Sequence, residues 1–158
     1  MTTPDRPVGK RIVVGVDGSE TSRHALRWAA AEADVHDAVL HVVYAWDVPT
    51  PGAGIGTPAG TRAAAAPEGQ HDAAEQLVAG VVQEELGDAA TNVRKSIGRG
   101  SPANVLLDSA KGADLLVVGS RGLGGFTGLL LGSISMKMAH HAPCPVVIVR
   151  PAAPVDQS

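Results

Sequence analysis

The chemistry in this sequence concentrates in one stretch, Gly119-Ser-Arg-Gly-Leu-Gly-Gly-Phe-Thr-Gly-Leu-Leu-Leu-Gly-Ser133. Six glycines fall within fourteen residues. Glycine permits positive φ and lets a ligand approach the backbone without meeting a Cβ. Ser133 is placed to open a helix, whose unpaired N–H groups and dipole attract an anion. Glycines, serine hydroxyls and a helix N-terminus together describe a phosphate cradle. Two common phosphate motifs do not account for it. A P-loop requires Gly-Lys-[Ser/Thr], and no lysine precedes Ser133. The dinucleotide fingerprint G-x-G-x-x-G, started at Gly122 and Gly124, requires glycine where Thr127 stands.

A second candidate is Asp17, which ends the β-branched run Arg11–Asp17 between Gly15 and Gly18. In an open parallel sheet, ligands bind beyond the carboxyl ends of the strands, where the strand order reverses. The elements around these two sites alternate. Residues 11–17 form a buried strand. Ser19 caps a helix reaching about Ala33, with Glu20 in its first turn and Ala25, Leu26, Ala29, Ala30 and Ala33 on one stripe. Residues 38–46 form a second strand. Residues 49–69, rich in Gly, Pro, Ala and Thr, form a flexible insertion. A helix from about His71 to Leu86 buries Leu77, Val78, Val81, Val82 and Leu86, although Gly80 weakens it. A short strand covers 91–98, anchored by Val93 and Ile97. Ser101-Pro102 opens a third helix, ending near Gly112. Residues 114–119 are the most apolar strand. After the glycine turn comes a short helix, stopped by Pro143 and Pro145, and Val146–Val149 is the last strand. This order predicts a single-domain α/β fold over residues 10–151: a five-stranded, mostly parallel, open twisted sheet with helices on both faces, Rossmann-like. Residues 1–9 and 152–158 are flexible tails.

Composition excludes several function classes. The chain has 158 residues, a formal net charge of −3 and a pI near 6.0. It lacks both the global basic field and, at 3% aromatic residues, the stacking platforms of a nucleic-acid binder. No apolar run approaches the roughly 18 residues that span a bilayer. The N-terminus has no apolar secretory core. Cys144 is the single cysteine, so no intramolecular disulfide forms, and a reducing cytoplasm is expected.

Gly119-x-x-Gly122, nine residues, then Gly132-Ser133 resembles the ATP motif of the universal stress protein family, G-x2-G-x9-G-[S/T]. The resemblance covers nearly the whole chain. Ile12-Val-Val-Gly-Val-Asp-Gly-Ser19 is similar to that family's first strand and turn, Leu40-His41-Val42 to its second strand, and His141-Ala-Pro-Cys-Pro-Val-Val-Ile-Val149 to its last. The resemblance implies a fold of the adenine nucleotide alpha hydrolase type and an ATP site, with Mg2+ accompanying the nucleotide. It implies that Asp17 contacts the ribose or the metal-phosphate end and that Val42 packs on adenine. Gly119 and Gly122 would lie against ribose and phosphate, and Gly132 and Ser133 would hold the phosphates. Ser120, Arg121, Ile134 and Ser135 would complete the set, Arg121 as a fixed positive charge. It also implies a homodimer joined through Val146–Val149, which an exposed apolar edge favours.

Other constellations carry less. His140 and His141 complement the negative end of a helix, and His24, His36, His41 and His71 have no ligand spacing, so no metal site is expected. Cys144 reads as structural. Met136 and Met138 are two apart on a helix, so at most one faces the core. No G-x-S-x-G elbow supports a hydrolase triad, and no catalytic residue is assigned. Three functions stay open: an ATP-binding stress-signalling module with at most slow hydrolysis; a dimeric interaction protein that takes AMP, a cyclic nucleotide or nothing; and a metal-assisted nucleotide hydrolase acting through Asp17.

Overall fold

The computed structural model describes residues 9–46, 67–122 and 131–151. The expected tails, most of the 49–69 insertion, and Gly124, Gly125 and Gly128 lie outside those residues. The elements run β1 Lys10–Gly15, α1 Glu20–His36, β2 Ala38–Trp46, α2 Pro67–Leu86, a 3-10 helix Gly87–Asn92, β3 Arg94–Arg99, α3 Pro102–Ser109, β4 Leu115–Gly119, α4 Ser133–His141 and β5 Val146–Val149. The five strands form one sheet in the order β3-β2-β1-β4-β5. Every pairing is parallel.

Strand side chains alternate between two cores, as a sheet covered on both faces requires. Ile12 and Val14 pack with Ala25, Leu26, Ala29 and Ala33 of α1 and with Val78, Val81 and Val82 of α2. Val13, Val43, Leu116 and Val118 pack on the other face with Ala103 and Leu106 of α3 and Met138 of α4. A Cβ on Gly98 would lie 2.3 Å from Val105 Cγ1, so that glycine is where α3 meets β3.

Ser19 caps α1 by accepting from Ser22 N–H, and Ser101 caps α3 by accepting from Asn104 N–H. α1 runs three residues past the expected Ala33 and ends on Asp37, whose φ of 51° is left-handed. Three further expectations are corrected. α2 begins at Pro67, inside the span read as an insertion, because proline's fixed φ suits a first helical position. Leu77 is 38% exposed, and Ala74 takes its place on the buried face of α2. The strand expected from residue 91 begins at Arg94. Before it, Thr91 Oγ1 donates to Asp88 O, a local bond that competes with the sheet ladder and belongs to the 3-10 helix. Of the two methionines, Met138 is fully buried and Met136 is exposed.

Candidate functional site

β1 has β2 on one side and β4 on the other, so the strand order reverses beside β1. Asp17 follows β1 and Ser120 follows β4, on either side of that point. A compact network fixes Asp17. Its N–H donates to Ser22 Oγ at 3.2 Å, and Ser22 Oγ donates to Ser19 O at 3.0 Å. Its Oδ1 accepts from Ser19 N–H at 2.9 Å. Gly18, with φ of 86°, makes the turn that allows this. The other carboxylate oxygen faces Gly122: a Cβ there would lie 2.5 Å from Asp17 Oδ2.

Close approach, not positive φ, calls for glycine at 119 and 122, whereas a Cβ at Gly132 would meet only ordinary contacts, the nearest Ser120 O at 3.4 Å. Gly119, Gly122 and Gly132 all lie outside the left-handed region. At Gly119 the missing Cβ makes room for α1: it would lie 2.9 Å from Thr21 Cγ2 and 3.1 Å from the Thr21 carbonyl carbon. Gly119 therefore seats the first turn of α1 against the end of β4, a role that its expected contact with ribose does not require.

Ser120 joins the two ends of the glycine turn to the sheet. Its N–H donates to Val149 O of β5 at 2.8 Å. Its carbonyl accepts from Gly132 N–H at 2.6 Å and from Ser135 Oγ at 3.0 Å. Ser120 and Ser135 are each 1% exposed. Ser120 Oγ is buried and has no hydrogen-bond partner among the described residues. Gly132 stands at the N-cap of α4 and, as a glycine, has no side chain to cap it. Ser133 is exposed, and Ile134, Arg121 and Gly132 are partly exposed. The Gly132–Ser120 bond brings the start of α4 beside Gly122: a Cβ on Gly132 would lie 3.6 Å from Arg121 Cα and 3.9 Å from Gly122 N.

The structure separates Val42 from this group. Its side chain is fully buried in the core under α1 and α2, and it sits in register with Val14, three residues before Asp17. The Val42 side chain, expected to pack on adenine, packs in the core cluster here. Ser135 likewise turns inward, so its hydroxyl serves the fold of the turn. Sequence reading missed Thr21 and Ser22, which shape the ends of β4 and β1. It also missed Trp46, at the carboxyl end of β2, with the Arg99 guanidinium 5.6 Å from its ring centroid. Its position as a tryptophan ending a strand was the available signal.

The titratable groups with displaced pKa values lie elsewhere. His41 Nδ1 accepts from Arg11 Nη1 at 3.3 Å, since arginine only donates, which leaves Nε2–H to donate to Ser96 Oγ at 2.5 Å. Burial, then Arg11 and Arg94, hold the imidazole below its ordinary pKa. Burial pushes the Cys144 thiol up, with Asp114 adding to the effect and Arg11 opposing it, which suits a structural cysteine. Among the described residues no three His, Cys, Asp or Glu side chains gather into a metal site, and no helix is long and apolar enough to cross a membrane.

The sequence profile of the universal stress protein family matches residues 9–150. The chain belongs to the universal stress protein family. A universal stress protein of Mycolicibacterium smegmatis is 39% identical over 145 residues, which cover 87% of this chain and 47% of that protein. The chain thus spans about half the length of that relative. One from Thermus aquaticus is 38% identical over 146 residues, covering 89% of this chain and 98% of that one. Among solved structures, a universal stress protein in complex with cAMP superposes with a TM-score of 0.65 at 27% identity, covering 91% of this chain and 98% of that one. The family's fold is the one seen here, a five-stranded parallel α/β sheet.

Proposed function

We propose that this universal stress protein domain binds an adenine nucleotide, ATP with Mg2+, across the ends of β1 and β4, and acts as a nucleotide-dependent stress-response module. The observation that carries the reading is the juxtaposition of Asp17 Oδ2, Gly122 and the glycine-capped first turn of α4. A carboxylate oxygen is an acceptor for ribose hydroxyls. The helix N-terminus a short distance away offers N–H donors for phosphate. A ligand serving both is polar and neutral at one end and anionic at the other, as a nucleoside phosphate is. Arg121, Ser133 and Ile134 line the phosphate end of this reading. The residues present fit the nucleotide on two counts: the close approach of Asp17 Oδ2 to Gly122, and a helix whose N-cap is a glycine with no side chain to cap it.

The relative solved with cAMP favours a second reading at the same site, a cyclic nucleotide or AMP in place of ATP. The proposed assembly is a homodimer through β5. The two sheet edges differ: β3 carries Arg94, Lys95 and Arg99, charges that discourage pairing, whereas β5 is Val146-Val147-Ile148-Val149. A reducing cytoplasm suits the half-buried, single Cys144 thiol.

Extraction of nucleotide from the purified protein, followed by calorimetric titration with ATP, AMP and cAMP in the presence of Mg2+, tests the reading. Tightest binding of ATP is the expected result. Preference for cAMP or AMP moves the conclusion to the second reading. Binding of none of them at millimolar concentration refutes both. Multiple turnovers per second, abolished by Asp17→Ala, would instead assign a metal-assisted hydrolase.

A further inference from the structure

Among the described residues the buried polar side chains are Ser22, Ser120 and Ser135, and the one proton of the Ser135 hydroxyl is shared between two carbonyl acceptors, in bonds of different kinds. One, to Gly132 O at 3.0 Å, lies within its own helix turn. The other, to Ser120 O at 3.0 Å, crosses fifteen residues and reaches the end of β4. The second bond is not needed to build α4, since Ser120 O already accepts Gly132 N–H and Met136 N–H already donates to Gly132 O. Alanine would also fill a position that is 1% exposed. What the hydroxyl adds is orientation. A single hydrogen bond between Gly132 and Ser120 is a pivot about which the first turn of α4 can swing. A shared second bond to the same carbonyl, from a different point on that turn, narrows the swing. Ser120 is itself anchored, because its N–H is held by Val149 O in the sheet.

We infer that Ser135 is a positioning residue for the nucleotide site, its buried hydroxyl locking the first turn of α4 onto the end of β4 and so fixing the aim of the Ser133 and Ile134 N–H groups. The inference rests on the proposed nucleotide reading for its binding consequence, and on geometry alone for its structural one. A bound phosphate touches those N–H groups, and the hydroxyl acts through them. Loss of their alignment costs affinity even though no ligand contact is removed.

The test compares Ser135→Ala with wild type and with Val82→Ala, a substitution in the core under α2, remote from the turn. Affinity for ATP with Mg2+ is read by calorimetry, thermal midpoint by scanning calorimetry, and amide hydrogen exchange of the nucleotide-free proteins by mass spectrometry. Ser135→Ala is expected to weaken ATP about 3- to 10-fold, the range of one lost hydrogen bond. It is also expected to accelerate exchange at the amides of 133–136. Val82→Ala is expected to lower the midpoint by at least as much and leave affinity and those amides unchanged. Wild-type affinity and exchange in Ser135→Ala overturn the inference, as does an affinity loss that Val82→Ala reproduces. Should the wild type bind no nucleotide, the functional reading falls, and exchange in the nucleotide-free proteins still decides whether Ser135 holds the turn.

Discussion

Gly119 and Gly122 belong to one motif, and the structure predicts opposite consequences when each gains a methyl group. Among the described residues the new Cβ at Gly122 meets the Asp17 carboxylate, Oδ2 at 2.5 Å and Cγ at 3.7 Å. A carboxylate end can rotate away, so Gly122→Ala is expected to fold. Rotation strains the bond from Ser19 N–H to Asp17 Oδ1, a cost of about 0.5–1.5 kcal/mol. The smaller unfolded-state entropy of alanine offsets about 0.4–1 kcal/mol of it, so the thermal midpoint should move little. Binding should move much more. Displacing Asp17 removes a charged acceptor from the site, worth about 1.5–3 kcal/mol, which is a loss of roughly 10- to 150-fold in nucleotide affinity at about 1.4 kcal/mol per tenfold. At Gly119 the Cβ meets the backbone of Thr21 at 3.1 and 3.2 Å, which cannot rotate aside. Gly119→Ala must push α1 off β4. Overpacking of this kind costs about 1–3 kcal/mol, or roughly 2–12 °C in midpoint for a domain of this length. The assay is titration calorimetry with ATP and Mg2+, beside scanning calorimetry on the same preparations. A Gly122→Ala protein that loses as much midpoint as Gly119→Ala while binding normally would show that Asp17 does not face the ligand, and the site as drawn would be wrong.

Gly98→Ala places a Cβ 2.3 Å from Val105 Cγ1 and should cost about 1–3 kcal/mol; Val105→Ala in the same chain should restore most of it, and additivity of the two losses would refute the contact. His41 titrates below its ordinary 6.5 in the folded chain because burial, Arg11 and Arg94 disfavour its charge. The unfolded chain therefore takes up that proton first, so this stability is complete above 6.5 and is lost as pH falls from there toward the folded value. His41→Gln should flatten the fall in midpoint on acidification, and an unchanged slope in that variant would remove His41 as its source. Light scattering at tens of micromolar should give a dimeric mass, and a monomer would count against pairing through β5.

Fold and site differed in how far the residues revealed them. Alternating apolar strands and helices, with caps such as Ser19 and Ser101 at their heads, specify the α/β order by local rules alone, and those rules hold in the structure. Boundaries slipped where a local bond competed with a longer-range one, as at Thr91, or where proline could either start a helix or sit in a loop, as at Pro67. Leu77 went to the wrong side because a helical stripe in an alanine-rich segment is ambiguous: Ala74 fills the buried position as well as a larger residue would. For the proposed site, spacing singled out the glycine turn and Asp17. It could not say what each glycine accommodates, because Thr21 lies 98 residues before Gly119 and Asp17 lies 105 before Gly122. Only the register of β1 beside β4 brings those pairs together.

That division explains why the motif mixes two kinds of residue. Gly119 and Ser135 have their missing or buried atoms committed to other parts of the protein: one to the backbone of α1, the other to the carbonyl of Ser120. Asp17 Oδ2 lies against Gly122, and the start of α4 at Gly132 lies beside Gly122, at the switch point. In the proposed site Arg121 supplies charge, but backbone donors have fixed directions, so their geometry must come from their surroundings. The buried members supply that geometry. Changes at them should therefore reach binding through stability or through the alignment of α4, whereas changes at Asp17 or Gly122 should reach binding directly with little loss of midpoint. Measuring both quantities on each variant sorts the motif into those two groups, and a motif whose every member lost affinity and midpoint in the same ratio would contradict the division.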